Sequence, residues 1–420
     1  MSRPVAIVGL GAEGLAGLSA EALDAIASAT FLAGGKRHLL LAGPTRAERF
    51  AIANNLAELA DRLARRGPDE RCVVLASGDP LFYGIGDMLS RSLGRDQIAV
   101  EPALSSMQRA FARAGISWHD AAIGTVHGRP LKEALLSLLG RSKIGLFTQD
   151  GASPSAVARF FLERGLNDYR AIVAENLGTA RERLTEAPLS DLIEKTFDDL
   201  NVLILIREAK GRKPGQPFCP PDNLFERPAG AAVLLTHADV RAIVLSRFQG
   251  LPDGPIWDIG AGLGGVAVSL AGSFPELEVV AVERSSKQID CLRTNRSRFE
   301  TYNLRIIEGT APGCLEGEDA PAGVFLGGSG GALDAILDLV FARLRPGGAF
   351  VANFVGLENL ARCLDRLKQA GWATEVTQVA ISHGQALAGL TVLTPERPVW
   401  IVRALVVRKG DRTNVSVVID

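Results

Sequence analysis

The chain has 420 residues, too many for one ordinary hydrophobic core, so we expect two or three domains. Hydrophobic residues make up 47% and charged residues 22%, a balance that is typical of globular proteins and argues against a disordered chain. Lys and Arg (46) nearly balance Asp and Glu (47), and no basic run carries interleaved aromatic residues. A nucleic-acid partner is therefore not expected.

Membrane, disulfide and metal signals are weak. No stretch of about 18 apolar residues occurs, and the N-terminus lacks the pattern of a signal peptide, so we expect no membrane association. The five cysteines are scattered without a C-x-x-C pair, which argues against disulfides and zinc and favours a reducing cytoplasm. The five histidines are isolated along the sequence, so no metal site is predicted.

Short apolar runs alternate with helical segments through the first half of the sequence. The runs are VAIVGLG, CVVLASGD, IAVEPAL, KIGLFTQD and LNVLILIR. Buried parallel strands form such continuous runs, so we predict a mostly parallel α/β sheet. The alternation stops after Arg207, and residues 211–228 contain five prolines. We therefore predict a linker over 211–228 between a domain at 1–210 and a domain at 229–420.

The second half resumes the alternation. Its runs are PIWDIGAG, EVVAVER, LRIIEGTA, GVFLGGSGG and GAFVANFV. Two β-rich runs follow, TEVTQVAIS and PVWIVRALVVR, without a full helix between them. This order predicts a parallel sheet that finishes in an antiparallel hairpin. No internal repeat is evident, so we expect the two halves to have different folds.

Both halves contain the glycine spacing G-x-G-x-x-G, which follows a strand in dinucleotide-binding sites. It occurs as Gly9, Gly11 and Gly14 in the first half and as Gly260, Gly262 and Gly265 in the second. An NAD site also needs an acidic residue at the end of the next strand, about 20 residues on. The strand candidate after Gly14, ATFLAGGKR, ends in no carboxylate. We therefore interpret the first pattern as a tight strand-to-helix turn.

The second glycine pattern is accompanied by two acidic residues. Glu283 ends the next strand candidate, VVAVER, and Asp258 stands two residues before Gly260. A carboxylate at Asp258 would repel the pyrophosphate of NAD, but it suits a cationic sulfonium ligand. With the later LRPGG turn, this pattern is typical of S-adenosylmethionine (SAM) methyltransferases. The alternatives are a solvated strand-end carboxylate at Glu283 and a helix or loop cap at Asp258.

The second half resembles the precorrin decarboxylating methyltransferases of cobalamin biosynthesis, which have a class I Rossmann-like SAM fold. The motifs that carry the resemblance are THADVRAIVLSRF, WDIGAGLGGVAV, AVERSSKQIDCLRTN, IIEGTAP, VFLGGSGG, LRPGG and TQVAIS. GGSGG at residues 327–331 is the most specific of them. By this resemblance the cofactor-binding candidates are Thr236, Asp258, Gly260, Gly262, Gly264, Glu283, Thr310 and Ala311. The chain departs from the usual pattern at His237, Gly265 and Thr310.

The first half resembles the tetrapyrrole methylases, a class III SAM fold of two α/β lobes. The motifs are LASGDPLFYGIG, PALSSMQ, VHGRP, TQDGASPSAVARFF, YRAIVAENLG and LNVLILIR. The resemblance implies that loops after the early strands hold SAM. The candidate residues are Gly78, Asp79, Ser105, Ser106 and His127. A simple turn at SGDP and a packed structural role for His127 are the alternatives.

Together the halves are similar to a bifunctional methyltransferase family of cobalamin (vitamin B12) biosynthesis. The resemblance implies methylation of precorrin-6Y at carbons 5 and 15, decarboxylation of the carbon-12 acetate to give precorrin-8X, and two SAM sites per chain. It also implies a tetrapyrrole substrate and self-association. A reduced tetrapyrrole supplies nucleophilic carbons and an electron sink, so no catalytic triad is expected. Substrate-binding candidates are Arg129, Gly327, Gly328, Ser329 and Gly330.

Three alternative functions stay open from the residues alone. The first is a two-domain SAM methyltransferase that acts on another substrate. The second is an NAD(P)-dependent oxidoreductase, which Asp258 disfavours. The third is a tetrapyrrole carrier without activity, which would leave two SAM-type loop systems unexplained. A surface role for Arg129 is an equal alternative to substrate binding.

Overall fold

The computed structural model describes residues 3–11, 13–208, 219–228 and 235–405. The chain divides into two compact units. Residues 1–163 and 167–211 form the first unit, and residues 164–166 and 212–420 form the second. No helix within the described ranges is both long and apolar enough to cross a membrane.

The first unit contains ten strands and seven α-helices among its described residues. The strands are β1 (Val5–Leu10), β2 (Phe31–Gly34), β3 (Glu48–Ala51), β4 (Cys72–Ser77), β5 (Ile98–Glu101), β6 (Ala122–Thr125), β7 (Lys143–Phe147), β8 (Tyr169–Glu175), β9 (Arg183–Pro188) and β10 (Asn201–Arg207). The helices are α1 (Ala20–Ala27), α2 (Lys36–Leu41), α3 (Leu56–Ala64), α4 (Ile85–Leu93), α5 (Ser106–Ala114), α6 (Leu131–Leu135) and α7 (Ser153–Glu163).

The first sheet of this unit has the order β3-β2-β4-β1-β5, and every pairing is parallel. Alternate residues of its strands point to opposite faces. Val8 and Leu10 pack on one face in a cluster with Ile26 of α1, whereas Ile7 packs on the other with Leu59 of α3. Both faces are therefore buried, as the continuous apolar runs predict.

The second sheet has the order β6-β7-β10-β8-β9, and only β6 and β7 pair in parallel. The prediction of a mostly parallel sheet is correct for the first sheet and wrong for this one. The reason is that β8 and β10 are buried almost along their whole length. A buried antiparallel strand has the same continuous apolar run as a buried parallel strand.

The second unit contains nine strands and five α-helices in its described part. The strands are β11 (Ile256–Ile259), β12 (Val279–Glu283), β13 (Leu304–Glu308), β14 (Gly323–Leu326), β15 (Ala349–Phe354), β16 (Ala373–Val379), β17 (Ser382–Leu387), β18 (Leu390–Pro395) and β19 (Val399–Leu405). The helices are α8 (Ala238–Ser246), α9 (Gly265–Ser273), α10 (Ser286–Arg298), α11 (Leu333–Arg343) and α12 (Leu357–Gln369).

Seven of these strands form one sheet with the order β13-β12-β11-β14-β15-β19-β16. Strands β11 to β15 are parallel, and β19 runs antiparallel to both β15 and β16. The predicted antiparallel finish of the sheet is confirmed, but β16 and β19 do not form a simple hairpin, because β17 and β18 lie between them in sequence. A separate hairpin, β17–β18, lies between β16 and β19 in sequence, and all of its residues are exposed.

Part of the predicted linker is a packed element of the second unit. Phe225 is only 4% exposed, and its ring lies 4.8 Å from the ring of Phe299. The guanidinium of the buried Arg241 lies over Phe225 at 4.9 Å and donates to the carbonyl of Pro220. Residues 219–228 therefore belong to this unit. The rest of the predicted linker, 211–218, lies outside the described residues.

Candidate functional site

The first glycine pattern forms a tight turn, as interpreted from the sequence. Gly14 has φ of +60° and its amide donates to the carbonyl of Gly11 at 3.2 Å. Only a short 3-10 turn, Leu15–Gly17, follows, and α1 begins at Ala20. The turn therefore lacks the adjoining helix N-terminus that cradles a pyrophosphate. The glycines instead allow close packing, because a Cβ on Gly9 would lie 1.9 Å from the carbonyl oxygen of Gly78.

Loops after three neighbouring strands of the first sheet meet at its carboxyl edge. The amide of Gly78, after β4, donates to Leu10 of β1 at 2.9 Å, and its carbonyl accepts from Ala103, after β5, at 3.1 Å. Gly78 has φ of +56°, and a Cβ there would lie 2.8 Å from the Cα of Ser105. The structure thus brings the predicted residues Gly78, Asp79 and Ser105 together.

The side chains of Asp79 and Ser105 shape these loops. Asp79 accepts a hydrogen bond from the amide of Leu81 at 2.9 Å. Ser105 is 4% exposed and caps α5 in a reciprocal capping box with Gln108. Ser106 is exposed at the first position of the helix. A ligand at this edge would therefore meet backbone groups and Ser106 more readily than the Asp79 or Ser105 side chains.

His127 and Arg129 follow β6 of the second sheet, and both are exposed. The amide of His127 donates to the hydroxyl of Thr125 at 3.1 Å. Arg129 lines a cavity of about 240 Å³ together with Asp150. The sequence analysis missed Tyr83, whose hydroxyl donates to the carbonyl of Ile123 at 2.9 Å and so ties the SGDP segment to this sheet.

The second-unit candidates gather at the carboxyl edge of its sheet. From β11 the chain proceeds to β12 on one side, and from β14 it proceeds to β15 on the other. Ligands of open α/β sheets bind where the strand order reverses in this way. The loops after β11 and β14 touch there, since a Cβ on Gly260 would lie 2.6 Å from the carbonyl oxygen of Gly328. Gly327 also donates to the Ile259 carbonyl at 3.0 Å.

Glu283 holds the glycine loop in place from the end of β12. Its carboxylate accepts hydrogen bonds from the amides of Gly262, Arg284 and Ser285, each at 2.9 Å. The side chain is also largely buried, with 8% of the residue exposed. A carboxylate has about four lone-pair positions, so about one is left for a ligand hydroxyl. The solvated strand-end alternative for Glu283 is therefore wrong.

Asp258 is a deeply buried carboxylate. It is 1% exposed, and neither carboxylate oxygen has a hydrogen-bond partner of good geometry, although a weaker hydrogen bond from the Ala267 amide acts to lower its pKa. Burial raises the pKa of Asp258 to about 7, and the nearby charge of Glu283 contributes to the increase. A buried acid with so little hydrogen bonding beside a glycine loop is typical of a ligand-binding position. The Ala267 amide lies in the first turn of α9, so the helix-cap alternative for Asp258 stays open.

The remaining predicted cofactor residues differ in their surroundings. Thr310 is exposed after β13, beside Gly309, whose amide donates to the Glu283 carbonyl at 2.9 Å. Ala311 is 6% exposed with its side chain in the core, so only its backbone can meet a ligand. Gly264 has φ of +85° directly before α9. Thr236 lies before α8, and its carbonyl accepts from Arg241.

The GGSGG segment forms an exposed loop after β14. Gly327, Gly328 and Gly330 are exposed, and Ser329 is half-buried. A Cβ on Gly330 would lie 3.3 Å from a terminal nitrogen of Arg284, an exposed residue that the sequence analysis missed. Within the described ranges the Arg284 guanidinium has no ion pair. Its position in the sequence, directly after Glu283 at the end of a strand, could have identified Arg284 as a candidate.

Each half of the chain matches a known domain family. Residues 4–193 match the Tetrapyrrole (Corrin/Porphyrin) Methylases, and residues 230–405 match the Precorrin methyltransferase domain. A protein of Sinorhizobium sp named precorrin-6Y C(5,15)-methyltransferase [decarboxylating] is 31% identical over 400 residues, which cover 94% of each chain. The chain belongs to the precorrin-6Y C(5,15)-methyltransferase (decarboxylating) family. The resemblance drawn from the motifs is confirmed.

Two Salmonella typhimurium relatives of this precorrin-6Y C(5,15)-methyltransferase family member each span roughly half of it. One is named cobalt-precorrin-7 C(5)-methyltransferase and is 34% identical over 202 residues, 48% of this chain and 98% of its own. The other is named cobalt-precorrin-6B C(15)-methyltransferase (decarboxylating). It is 37% identical over 183 residues, 43% of this chain and 93% of its own.

Proposed function

We propose that this chain methylates precorrin-6Y at carbons 5 and 15 and removes the carbon-12 acetate carboxyl group as carbon dioxide, giving precorrin-8X. The chain is a SAM-dependent, decarboxylating methyltransferase of cobalamin biosynthesis. The observation that carries the proposal is the match to a bifunctional relative over 94% of both chains. The separate relatives support one methylation in each half.

The strand order supports a class I Rossmann-like fold for the second unit. Its parallel core, β13-β12-β11-β14-β15, has the doubly wound order with a crevice between β11 and β14. The two sheets of the first unit support a class III methylase of two α/β lobes. We propose one SAM site in each unit. The catalytic domains would comprise residues 1–210 and the residues from 219 onward, so the second domain begins ten residues before its predicted start at 229.

The second SAM site would lie at the crevice between β11 and β14. The loop of Gly260, Gly262 and Gly264 offers backbone groups without side chains. Asp258 supplies a negative charge that a sulfonium group would neutralise, and that an ammonium group would both neutralise and hydrogen-bond. Glu283 keeps about one acceptor position for a ribose hydroxyl. Three further candidates would border the same ligand: Thr236, Thr310 and the backbone of Ala311.

The chemistry at this site requires positioning more than covalent catalysis. The electron pair of a nucleophilic ring carbon forms a bond to the sulfonium methyl group while the carbon–sulfur bond breaks, leaving a neutral thioether. In decarboxylation the carbon–carboxylate bond breaks, and its electron pair enters the conjugated ring before a proton is taken up. Removing the substrate carboxylate from water raises its free energy relative to that of neutral carbon dioxide, which favours decarboxylation.

The exposed GGSGG loop provides a surface without bulky side chains on which a flat macrocycle could lie. Gly327, Gly328 and Gly330 expose their backbone, and the Arg284 guanidinium lies beside Gly330. Arginine pairs with carboxylates through two parallel hydrogen bonds. We assign Arg284 and Ser329 to the substrate carboxylates in the second unit.

The first SAM site would be formed by the loops at the carboxyl edge of the first sheet. Gly78, Asp79, Ser105 and Ser106 shape that edge, and His127 and Arg129 follow β6 of the second sheet. Tyr83 fixes the SGDP segment to β6, which supports a site made from both sheets. Arg129 would meet substrate carboxylates at the adjacent cavity. A cytoplasmic homo-oligomer is the expected form of the enzyme.

Incubation of the full chain with SAM and precorrin-6Y tests the reaction. Mass spectrometry should find a product with two added methyl groups and one carboxyl group fewer. Methyl-labelled SAM should transfer its label to the product, and carbon dioxide should be released. An unchanged substrate, with methylation of a different tetrapyrrole under the same conditions, would show that the substrate is misassigned.

A further inference from the structure

Three potential metal ligands converge in the second unit although they are far apart in sequence. His237 lies directly before α8, His383 lies on β17, and Glu396 follows β18. One ligand atom of each residue lies within 4.8 Å of those of the other two. Nε2 of His237 lies 3.4 Å from an Oε atom of Glu396, and the two imidazole rings are 6.1 Å apart.

A buried network orients His237 toward the other two residues. Nδ1 of His237 lies 3.1 Å from Oδ2 of Asp222. The other Asp222 oxygen accepts from Nη1 of the buried Arg241 at 2.6 Å, and the Ala238 amide donates to Oδ2 at 3.3 Å. Asp222 therefore accepts the Nδ1 proton of a neutral His237. This hydrogen bond selects the tautomer whose Nε2 lone pair is free, the arrangement in which histidine binds metals.

Nε2 of His237 faces two further electron-rich groups. It lies 3.4 Å from the Glu396 carboxylate, with His383 close by, so the three ligand atoms surround one point at which a cation can take the place of a proton. Two imidazoles and a carboxylate are a frequent ligand set of zinc, with water in the fourth position. Bonds of about 2.0–2.2 Å require the ligand atoms to approach further, which side chains that are 44% (His237) and 40% (Glu396) exposed can do by small rotations.

We propose that His237, His383 and Glu396 bind one divalent ion of the zinc class, and that Asp222 positions His237 for it. The ion would cross-link the base of the β17–β18 hairpin to the start of α8. Arg241 of that helix packs behind the glycine loop, since a Cβ on Gly265 would lie 3.4 Å from its Cδ. The site would therefore stabilise the hairpin beside the second-unit crevice. The proposal of this metal site does not depend on the proposed reaction.

Zinc titration of the full chain tests the site directly. The protein should carry no histidine tag, should be stripped with a chelator, and should be kept reduced because it has five free cysteines. Calorimetry should show one tight Zn²⁺ per chain. We expect His383→Ala to weaken binding on the order of 100-fold or more, and Asp222→Asn to weaken it by about 10–100-fold. His119→Ala, an exposed histidine of the first unit, is the matched control and should bind as the wild type does.

Hydrogen exchange provides a second readout. Zn²⁺ should slow amide exchange over residues 382–396 in the wild type but not in His383→Ala. His383 is exposed on the hairpin, so this variant tests the proposal even if Asp222→Asn unfolds. The proposal is overturned if the wild type binds no Zn²⁺, or if His383→Ala binds it unchanged. It is equally overturned if Cys219→Ser abolishes binding and His383→Ala does not.

Discussion

At the scale of single residues, the proposed role of Asp258 would link stability to cofactor binding. Its pKa of about 7 lies above its ordinary value near 3.8, so between these pH values the folded state holds a proton that the unfolded state has lost. The stability of the wild type should therefore fall as the pH rises from about 4 to 7, and the loss is complete above pH 7. In the proposed site, the cost would be offset by the interaction of the carboxylate with a cationic ligand.

We therefore expect Asp258→Asn to stabilise the second unit while weakening its SAM binding. The gain should be near zero below pH 4 and should approach about 4 kcal/mol at pH 8, at 1.36 kcal/mol per pKa unit. Urea unfolding of the ligand-free chain, followed by tryptophan fluorescence, measures it, because Trp257, Trp372 and Trp400 lie in this unit. Asp365→Asn, on the exposed face of α12, should show no such pH dependence. A gain that is independent of pH would contradict the assignment.

Glu283 holds the glycine loop in place, and in the proposed site it would also accept a hydrogen bond from the ligand. Glu283→Ala removes an acceptor of three backbone hydrogen bonds and the position left for a ribose hydroxyl. We expect a loss of on the order of 1.5–3 kcal/mol in binding of S-adenosylhomocysteine at the second site, measured by calorimetry. Glu276→Ala, an exposed carboxylate before the other end of β12, is the control. Full affinity in Glu283→Ala would remove this residue from the site.

At the scale of elements, the apolar pattern predicted most strands but not every direction. The absence of a helix between two β-rich runs correctly predicted the β16–β19 pair. The same pattern could not show that β8 and β10 are antiparallel, because burial on both faces gives one pattern for both directions. The β17–β18 hairpin was missed because all its residues are exposed, and an exposed hairpin carries no alternation of burial.

The candidate site was predictable from the sequence where its residues lie on, or directly after, adjacent strands. Asp258 lies in β11 and Glu283 at the end of β12, two strands that lie side by side in the sheet, and the glycine loop follows β11. Contacts between distant segments were not predictable. Arg284 meets Gly330, and His237 meets His383, only because the fold brings their segments together. Isolated histidines in a sequence therefore say little about the metal sites of the folded chain.

The contact between two glycine loops should be essential to the second unit. In Gly260→Ala the new Cβ would lie 2.6 Å from the Gly328 carbonyl oxygen, at a φ of +75°. We expect about 1–3 kcal/mol from the clash in addition to about 1–2 kcal/mol from the left-handed backbone. Gly371→Ala has a similar φ of +72° but meets no atom within 4 Å, so it isolates the backbone cost. Equal unfolding free energies for the two variants would show that the loops can separate freely.

At the scale of the whole molecule, two SAM sites should be measurable in one chain. Calorimetry with S-adenosylhomocysteine should give close to two equivalents. Gly78→Ala should remove the first, because its Cβ would lie 2.8 Å from the Cα of Ser105, and Glu283→Ala should weaken only the second. A wild-type stoichiometry of one would contradict the two-site proposal, and so would the loss of both sites in either variant.

The two reactions should separate when the chain is divided within residues 209–218. The structure makes the starting residue of the second piece decisive. Residues 219–228 supply Phe225 to the core, and they supply the Pro220 and Asp222 oxygens that accept from Arg241. A piece from residue 229 onward would leave the buried Arg241 without these partners, which typically costs about 3–5 kcal/mol. Both pieces lack residues 164–166 of the second unit, so the comparison isolates 219–228, and we expect 229–420 to be far less stable in urea than 219–420.

The 219–420 piece should then methylate carbon 15 and release carbon dioxide from the carbon-12 acetate, whereas the 1–208 piece should methylate carbon 5. We propose decarboxylation for the second unit, because the exposed GGSGG loop and Arg284 lie together beside the crevice between β11 and β14. Each piece is incubated with SAM and precorrin-6Y, and released carbon dioxide and product mass are followed. The 1–208 piece is also supplied with the product of the other, since its own substrate is expected to arise from that reaction. Carbon dioxide release by 1–208, or by neither piece until the two are recombined, would show that decarboxylation is assigned to the wrong part of the chain.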